Sequence, residues 1–80
     1  MQYVYILQSL TYPDKHYVGC TNDVLERVEQ HNAESQSRHT SIYGPWKLVV
    51  QLGFEDKAKA FAFEQYLKTG SGRAFAKKHF

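Results

Sequence analysis

The chain has 80 residues, a formal net charge of +2 and one cysteine. This length predicts a single domain with a small hydrophobic core, and the single cysteine excludes an intrachain disulfide bond. The apolar run at residues 4–7 is too short for a signal peptide or a membrane span. We therefore expect a cytoplasmic protein that has no membrane partner.

Basic residues are concentrated near the end of the sequence. Lys68, Arg73, Lys77 and Lys78 lie within the last thirteen residues, which contain no acidic residue. A nucleic-acid or phosphate partner explains this distribution, and so does a solvated helix end whose dipole favours cations. The charge pattern leaves both explanations open.

The first part of the chain predicts a β-hairpin. Residues 3–7 are all apolar or aromatic, as expected for a central strand that is covered on both faces. Residues 12–15, Tyr-Pro-Asp-Lys, form a favourable turn sequence. We expect residues 16–19 to return as an antiparallel strand.

A capped helix is predicted directly after this strand. Asp23 and Glu26 fit a helix-opening capping box. The apolar face consists of three residues with helical spacing, Val24, Leu25 and Val28. Arg27 and His31 lie one turn apart at the edge of that face, so we expect both to point toward the end of the second strand.

The middle of the chain predicts a loop and a third strand. Residues 34–45 lack periodicity and are rich in Ser, Thr, Gly and Pro. We expect a loop whose basic residues, Arg38 and His39, contact a ligand. Residues 46–54 alternate as in a strand. The apolar residues expected on one face of it are Trp46, Leu48, Val50, Leu52 and Phe54.

The last part of the chain predicts two helices. Apolar residues between positions 57 and 68 spread around almost the whole helical wheel, so we expect a largely buried second helix. The segment Gly70 to Gly72 should end it, and residues 73–79 should form one more short basic helix.

Glu64 has two explanations. It lies among apolar residues of the second predicted helix, with Lys68 one turn further along. One explanation is a surface ion pair with Lys68. The other is a carboxylate that faces a cleft and binds a hard cation. The sequence pattern supports the two about equally.

Several of these residues occur in the order and spacing of a known family. The first strand contains Tyr-Val-Tyr at residues 3–5, and the second contains Tyr-Val-Gly at residues 17–19. Arg27, His31 and Glu64 follow on the predicted helices. The sequence resembles the GIY-YIG nuclease superfamily, in particular its small single-domain members. Each motif is short, whereas their order and spacing together are fairly specific.

The resemblance implies an α+β fold, with a small three-stranded antiparallel sheet flanked by helices, as one domain over residues 1–80. It also implies an endonuclease that hydrolyses phosphodiester bonds in DNA, in repair or processing. The implied cofactor is one divalent metal ion, Mg²⁺ or Mn²⁺, without an organic cofactor.

The same resemblance assigns roles to five residues. Glu64 would hold the metal ion, and Arg27 would bind the scissile phosphate. Tyr5 and Tyr17 would line the site, where one of them orients or deprotonates the attacking water. His31 matches a position that assists catalysis in many members of the family.

Six residues with basic side chains are candidates for contact with nucleic acid. The residues that we expect to contact nucleic acid are Arg27, Arg38, His39, Lys47, Lys77 and Lys78. One alternative is a nucleic-acid-binding module of the same fold with little or no cleavage activity. Against it, binding alone does not require a metal-binding acid such as Glu64. Another alternative is a structural partner in a larger repair assembly. The sequence does not determine the oligomeric state.

Overall fold

Three strands and three helices account for most of the described residues, 1–34 and 43–80 of a computed structural model. In chain order they are β1 (Gln2–Ser9), β2 (His16–Thr21), α1 (Val24–Glu34), β3 (Trp46–Phe54), α2 (Lys57–Leu67) and α3 (Gly70–His79). The strand order is β2-β1-β3, and both strand pairs are antiparallel. The predicted α+β fold with a three-stranded antiparallel sheet is confirmed, and β1 is central as predicted.

The β1–β2 hairpin closes through the predicted turn. The backbone N–H of Lys15 donates to the carbonyl of Tyr12 at 2.8 Å, and Nε2 of Gln8 donates to the carbonyl of Pro13 at 2.7 Å. The resulting register pairs Tyr5 with Gly19. Because paired residues of antiparallel strands project to the same face, this register decides what lies beside the Tyr5 ring.

The alternation of β1 divides the hydrophobic core into two layers, one on each face of the sheet. The buried residues of the layer under α2 and α3 are Val4, Ile6, Ala60 and Leu67. The buried residues of the layer under α1 are Tyr5, Leu7, Val24 and Trp46. The sheet is therefore covered on both faces, as the continuous apolar sequence of β1 predicts.

The prediction that β3 places its apolar residues on one face is wrong. A register shift between Ile6 and Leu7 leaves Val49 as an extra residue on β3. Such a bulge turns the side chains that follow it to the opposite face. Trp46 therefore packs in the α1 layer, whereas Phe54 packs in the layer under α2 and α3.

Two helices bury a narrower stripe than the sequence predicts. On α2 only Ala60 and Leu67 are buried, whereas Phe61 is 43% and Tyr66 is 40% exposed, so the prediction of a largely buried helix is wrong. On α1, Leu25 is exposed although it was expected on the apolar face. For α2, the cause is that it shares one face of a three-stranded sheet with α3.

The glycine segment after α2 is the first turn of α3 and not a break before it, contrary to the prediction. Thr69 is the N-cap, and its Oγ1 accepts a hydrogen bond from the N–H of Gly72 at 3.1 Å. A Cβ at Gly72 would collide with the carbonyl oxygen of Tyr66. Glycine at this position therefore permits the close approach between the end of α2 and the start of α3.

None of the helices described is both long and apolar enough to cross a membrane.

Candidate active site

Tyr5 lies at the centre of the candidate site. It is 1% exposed, and its ring lies across β2 at its pairing partner, Gly19. A Cβ at residue 19 would collide with the hydroxyl end of the Tyr5 ring. Glycine is therefore the residue that fits, because it lets the aromatic ring lie directly against the backbone of the edge strand.

His31 and Tyr17 complete an aromatic cluster around this hydroxyl. The Tyr5 hydroxyl oxygen and Nε2 of His31 are hydrogen-bonded at 3.1 Å. The ring centroids of Tyr17 and His31 are 4.5 Å apart, and those of Tyr5 and Tyr17 are 6.3 Å apart. His31 is buried, whereas Tyr17 is 38% exposed. The cluster thus has Tyr5 on its inner side and Tyr17 on its solvent side.

Helix α1 is fixed at both ends, which holds His31 in this position. At the start, Oδ1 of Asp23 accepts a hydrogen bond from the N–H of Glu26 at 3.1 Å, as the capping box predicts. Near the end, Oδ1 of Asn32 accepts from the N–H of Trp46 at 2.7 Å, and Nδ2 of Asn32 donates to the Trp46 carbonyl at 3.2 Å. The second anchor ties α1 to β3 beside the residue that binds Tyr5.

Two opposite charges act on the Tyr5 hydroxyl. Burial, and after it the neighbouring Tyr17, raises the pKa of Tyr5 to about 12. The charge of Arg27 lowers this pKa, and the charge of Glu64 raises it. Tyr5 is therefore a neutral hydroxyl at physiological pH, and it lies within the electrostatic reach of both a guanidinium and a carboxylate.

Arg27 and Glu64 differ in exposure. Arg27 lies one turn before His31 on α1 and is exposed. The Glu64 side chain is only 13% exposed, and one of its oxygens lies 3.1 Å from Nζ of Lys68. The ion pair that one explanation predicts is therefore present, and the shielded carboxylate acts on Tyr5 through its charge. Cation binding by Glu64 stays a prediction.

The other basic residues predicted to contact nucleic acid lie outside the aromatic cluster. Lys47 is exposed on β3, and Lys77 and Lys78 are exposed in the last turn of α3. Arg38 and His39 lie outside the described residues, so their predicted contacts stay predictions.

Sequence reasoning missed the part that Gly19 and Asn32 play in building the site. The sequence shows Gly19 only as the last residue of the Tyr-Val-Gly motif, whereas in the structure it has no positive φ and accommodates the Tyr5 ring. The pairing of a tyrosine with a glycine on adjacent predicted strands is a signal that could have identified it. Asn32 gave no comparable signal, because its contacts are with the backbone of a distant strand.

Comparisons with known proteins add to this geometry. A family model described as the GIY-YIG catalytic domain matches residues 1–78. A structure-specific endonuclease subunit SLX1 homolog from Giardia intestinalis is 40% identical over 65 residues, which are 78% of this chain and 18% of that protein. A UPF0213 protein from Clostridium perfringens is 38% identical over 68 residues, 85% of this chain and 71% of that protein.

A structure-specific endonuclease subunit SLX1 from Malassezia globosa is 38% identical over 63 residues, 75% of this chain and 14% of that protein. The chain therefore spans less than a fifth of the length of these two SLX1 relatives, but most of the length of the UPF0213 relative.

Proposed function

This chain belongs to the GIY-YIG family, and we propose that it is an endonuclease that hydrolyses phosphodiester bonds in DNA with one divalent metal ion. The main support is the cluster of Tyr5, Tyr17 and His31, with the charges of Arg27 and Glu64 acting on the Tyr5 hydroxyl. The SLX1 relatives are named as structure-specific endonuclease subunits, which is consistent with this reaction. A role in DNA repair or processing is part of the proposal.

Glu64 is the residue that we assign to the metal ion. Among the described residues, no three His, Cys, Asp or Glu side chains form a group that could hold a metal. A shielded single carboxylate nevertheless fits Mg²⁺ or Mn²⁺, because such ions retain several waters and take phosphate oxygens as further ligands. When bound, the ion would supply charge neutralisation at the phosphate.

Arg27 is the residue that we assign to the scissile phosphate. Its side chain is exposed, and its planar guanidinium can donate two parallel hydrogen bonds to phosphate oxygens. In phosphoryl transfer the protein acts mainly by positioning and by stabilising charge. Arg27 would therefore contribute more to the transition state than a point charge would.

The two tyrosines receive different roles from their surroundings. Tyr5 has a pKa of about 12, so it remains protonated and is a poor general base at neutral pH. Its hydrogen bond with His31 fixes the hydroxyl as a positioning group. Tyr17 is the more exposed of the two, and we assign contact with the attacking water to Tyr17, with His31 packed against its ring.

The test is incubation of the purified protein with labelled duplex, single-stranded, flap and branched DNA, with Mg²⁺, with Mn²⁺ and with a chelator. We expect cleavage of at least one substrate with metal and none with the chelator. Folded protein that binds these DNAs at large enzyme excess but leaves all of them intact would support the binding-module alternative.

A further inference from the structure

A groove of about 720 Å³ lies between the β1–β2 turn and α3, on the face of the sheet that α2 and α3 cover, and it reaches the candidate active site at Tyr17. Its wall includes Val49, the extra residue of the β3 bulge, and one side of α3. Two of its residues also belong to the candidate active site or contact it. Tyr17 lines the groove, and so does Lys68, the ion-pair partner of Glu64.

The rim of this groove is positively charged. The basic residues that line it, besides His16, are Lys15, Lys68, Arg73 and Lys77. Asp14 is the single acidic residue among those that line it, and Glu64 neutralises only Lys68. The excess of positive charge favours a ligand that carries several phosphates.

The groove is also lined by apolar residues. Its apolar residues include Ile6, Val18, Val49, Ala76 and Phe80. Val49 is 39% and Phe80 is 41% exposed, so apolar and aromatic surface is accessible within a charged rim. Single-stranded nucleic acid presents this combination of chemistry, because its bases are free to stack while its phosphates meet cations. Duplex DNA, by contrast, keeps its bases stacked on one another.

We propose that this groove, with Lys15 and Lys77 on its rim, binds a single-stranded DNA arm that continues from the scissile phosphate. The inference rests on the proposed function and adds a substrate class, namely DNA with an unpaired arm. It also assigns different roles to two adjacent lysines. Lys77 lines the groove, whereas Lys78, which the sequence grouped with it, does not.

Two double variants test the groove. The groove pair is Lys15→Ala with Lys77→Ala. The control pair is Lys57→Ala with Lys59→Ala, which removes the same charge from exposed positions that do not line the groove. If a double variant fails to fold, as judged by its melting temperature, Lys77→Ala against Lys59→Ala makes the same comparison.

Binding is measured by fluorescence anisotropy in chelator, so that no DNA is cleaved. The probes are an oligothymidylate of about 10 nucleotides, a flap duplex with such an arm, and the same nicked duplex without the arm. We expect the groove pair to weaken binding of the oligothymidylate and the flap about tenfold, and to lower the salt slope for the oligothymidylate by about 1.4, as for two lost phosphate contacts. The control pair should stay within about twofold of the parent protein on every probe.

If both double variants weakened DNA binding equally, only the total positive charge would matter, and the proposed binding of the DNA arm in the groove would be wrong. An equal effect of the groove pair on the flap and on the armless duplex would overturn it as well. The readout is independent of cleavage. If the groove pair alone lost oligothymidylate binding and the parent protein cut no DNA, the groove proposal would be supported and the proposed function rejected. If the parent protein cut DNA and the groove pair bound oligothymidylate normally, the proposed function would be supported and the groove proposal rejected.

Discussion

The Gly19→Ala variant tests the geometry on which the candidate site depends. An added Cβ would meet the hydroxyl end of the Tyr5 ring, and this ring cannot retreat easily because Tyr5 is only 1% exposed. The collision should push the ring away from β2. The hydrogen bond between the Tyr5 hydroxyl and His31 should then lengthen or break.

The expected loss in the free energy of unfolding of Gly19→Ala has three contributions. Overpacking a buried site costs about 1–3 kcal/mol, and loss of a buried hydrogen bond adds about 1 kcal/mol. Replacing a strand glycine by alanine returns about 0.5–1 kcal/mol through lower chain entropy. The net expected loss is about 2 kcal/mol, which for a chain of this size lowers the melting temperature by roughly 8–16 °C.

Gly53→Ala is the matched control. Neither glycine has a positive φ, so backbone strain does not distinguish them. A Cβ at Gly53 would mainly meet the sulfur end of Met1, an exposed side chain that can move aside. We expect a stability change within about 0.5 kcal/mol.

Thermal unfolding followed by circular dichroism, with single-turnover cleavage on the same preparations, makes the comparison. We expect Gly19→Ala alone to lose both stability and activity. If Gly19→Ala melted at the parent temperature, the close packing of Tyr5 against residue 19 would be refuted.

Two further predictions concern Arg27 and Tyr5. Arg27→Lys should slow single-turnover cleavage about 100-fold or more, nearly as much as Arg27→Ala, because lysine keeps the charge but loses the planar fork; a lysine variant that cuts at the parent rate would reduce Arg27 to a diffuse charge. Because the pKa of Tyr5 is raised from 10.0 to about 12, its contribution to stability is complete below the lower value and is lost as pH rises through the higher one. Denaturant unfolding across that range should therefore show a weaker alkaline decline for Tyr5→Phe than for the parent, and identical declines would contradict the assigned shift.

Local sequence chemistry was enough to predict the hairpin turn and the start of α1. The Tyr12–Lys15 turn and the Asp23 cap both form as expected, because each depends on residues within one turn of chain. The position of Arg27 and His31 on the same side of α1 follows from helical spacing once the start of the helix is known.

The features that the sequence did not reveal depend on distant partners. The bulge at Val49 is a feature of the pairing between β3 and β1. The alternating sequence of β3 alone therefore gives no sign that its side chains change face. The exposure of Phe61 depends on how α2 and α3 share the narrow sheet. The groove likewise joins Lys15 to Lys77, two residues far apart in sequence that no local pattern connects.

Glu64→Gln provides the most direct test of the central claim. The substitution keeps the size of the side chain but removes the charge that would hold a hard cation. The main measurement is single-turnover cleavage of flap DNA across a range of Mg²⁺ and Mn²⁺ concentrations. The melting temperature, and DNA binding in the presence of chelator, are measured on the same preparation. We predict that cleavage collapses at every metal concentration, while DNA binding in chelator and thermal stability without metal are retained. Cleavage at the parent rate, accompanied only by a stability loss of a few tenths of a kcal/mol from the broken pair with Lys68, would contradict the account and leave Glu64 outside the active site.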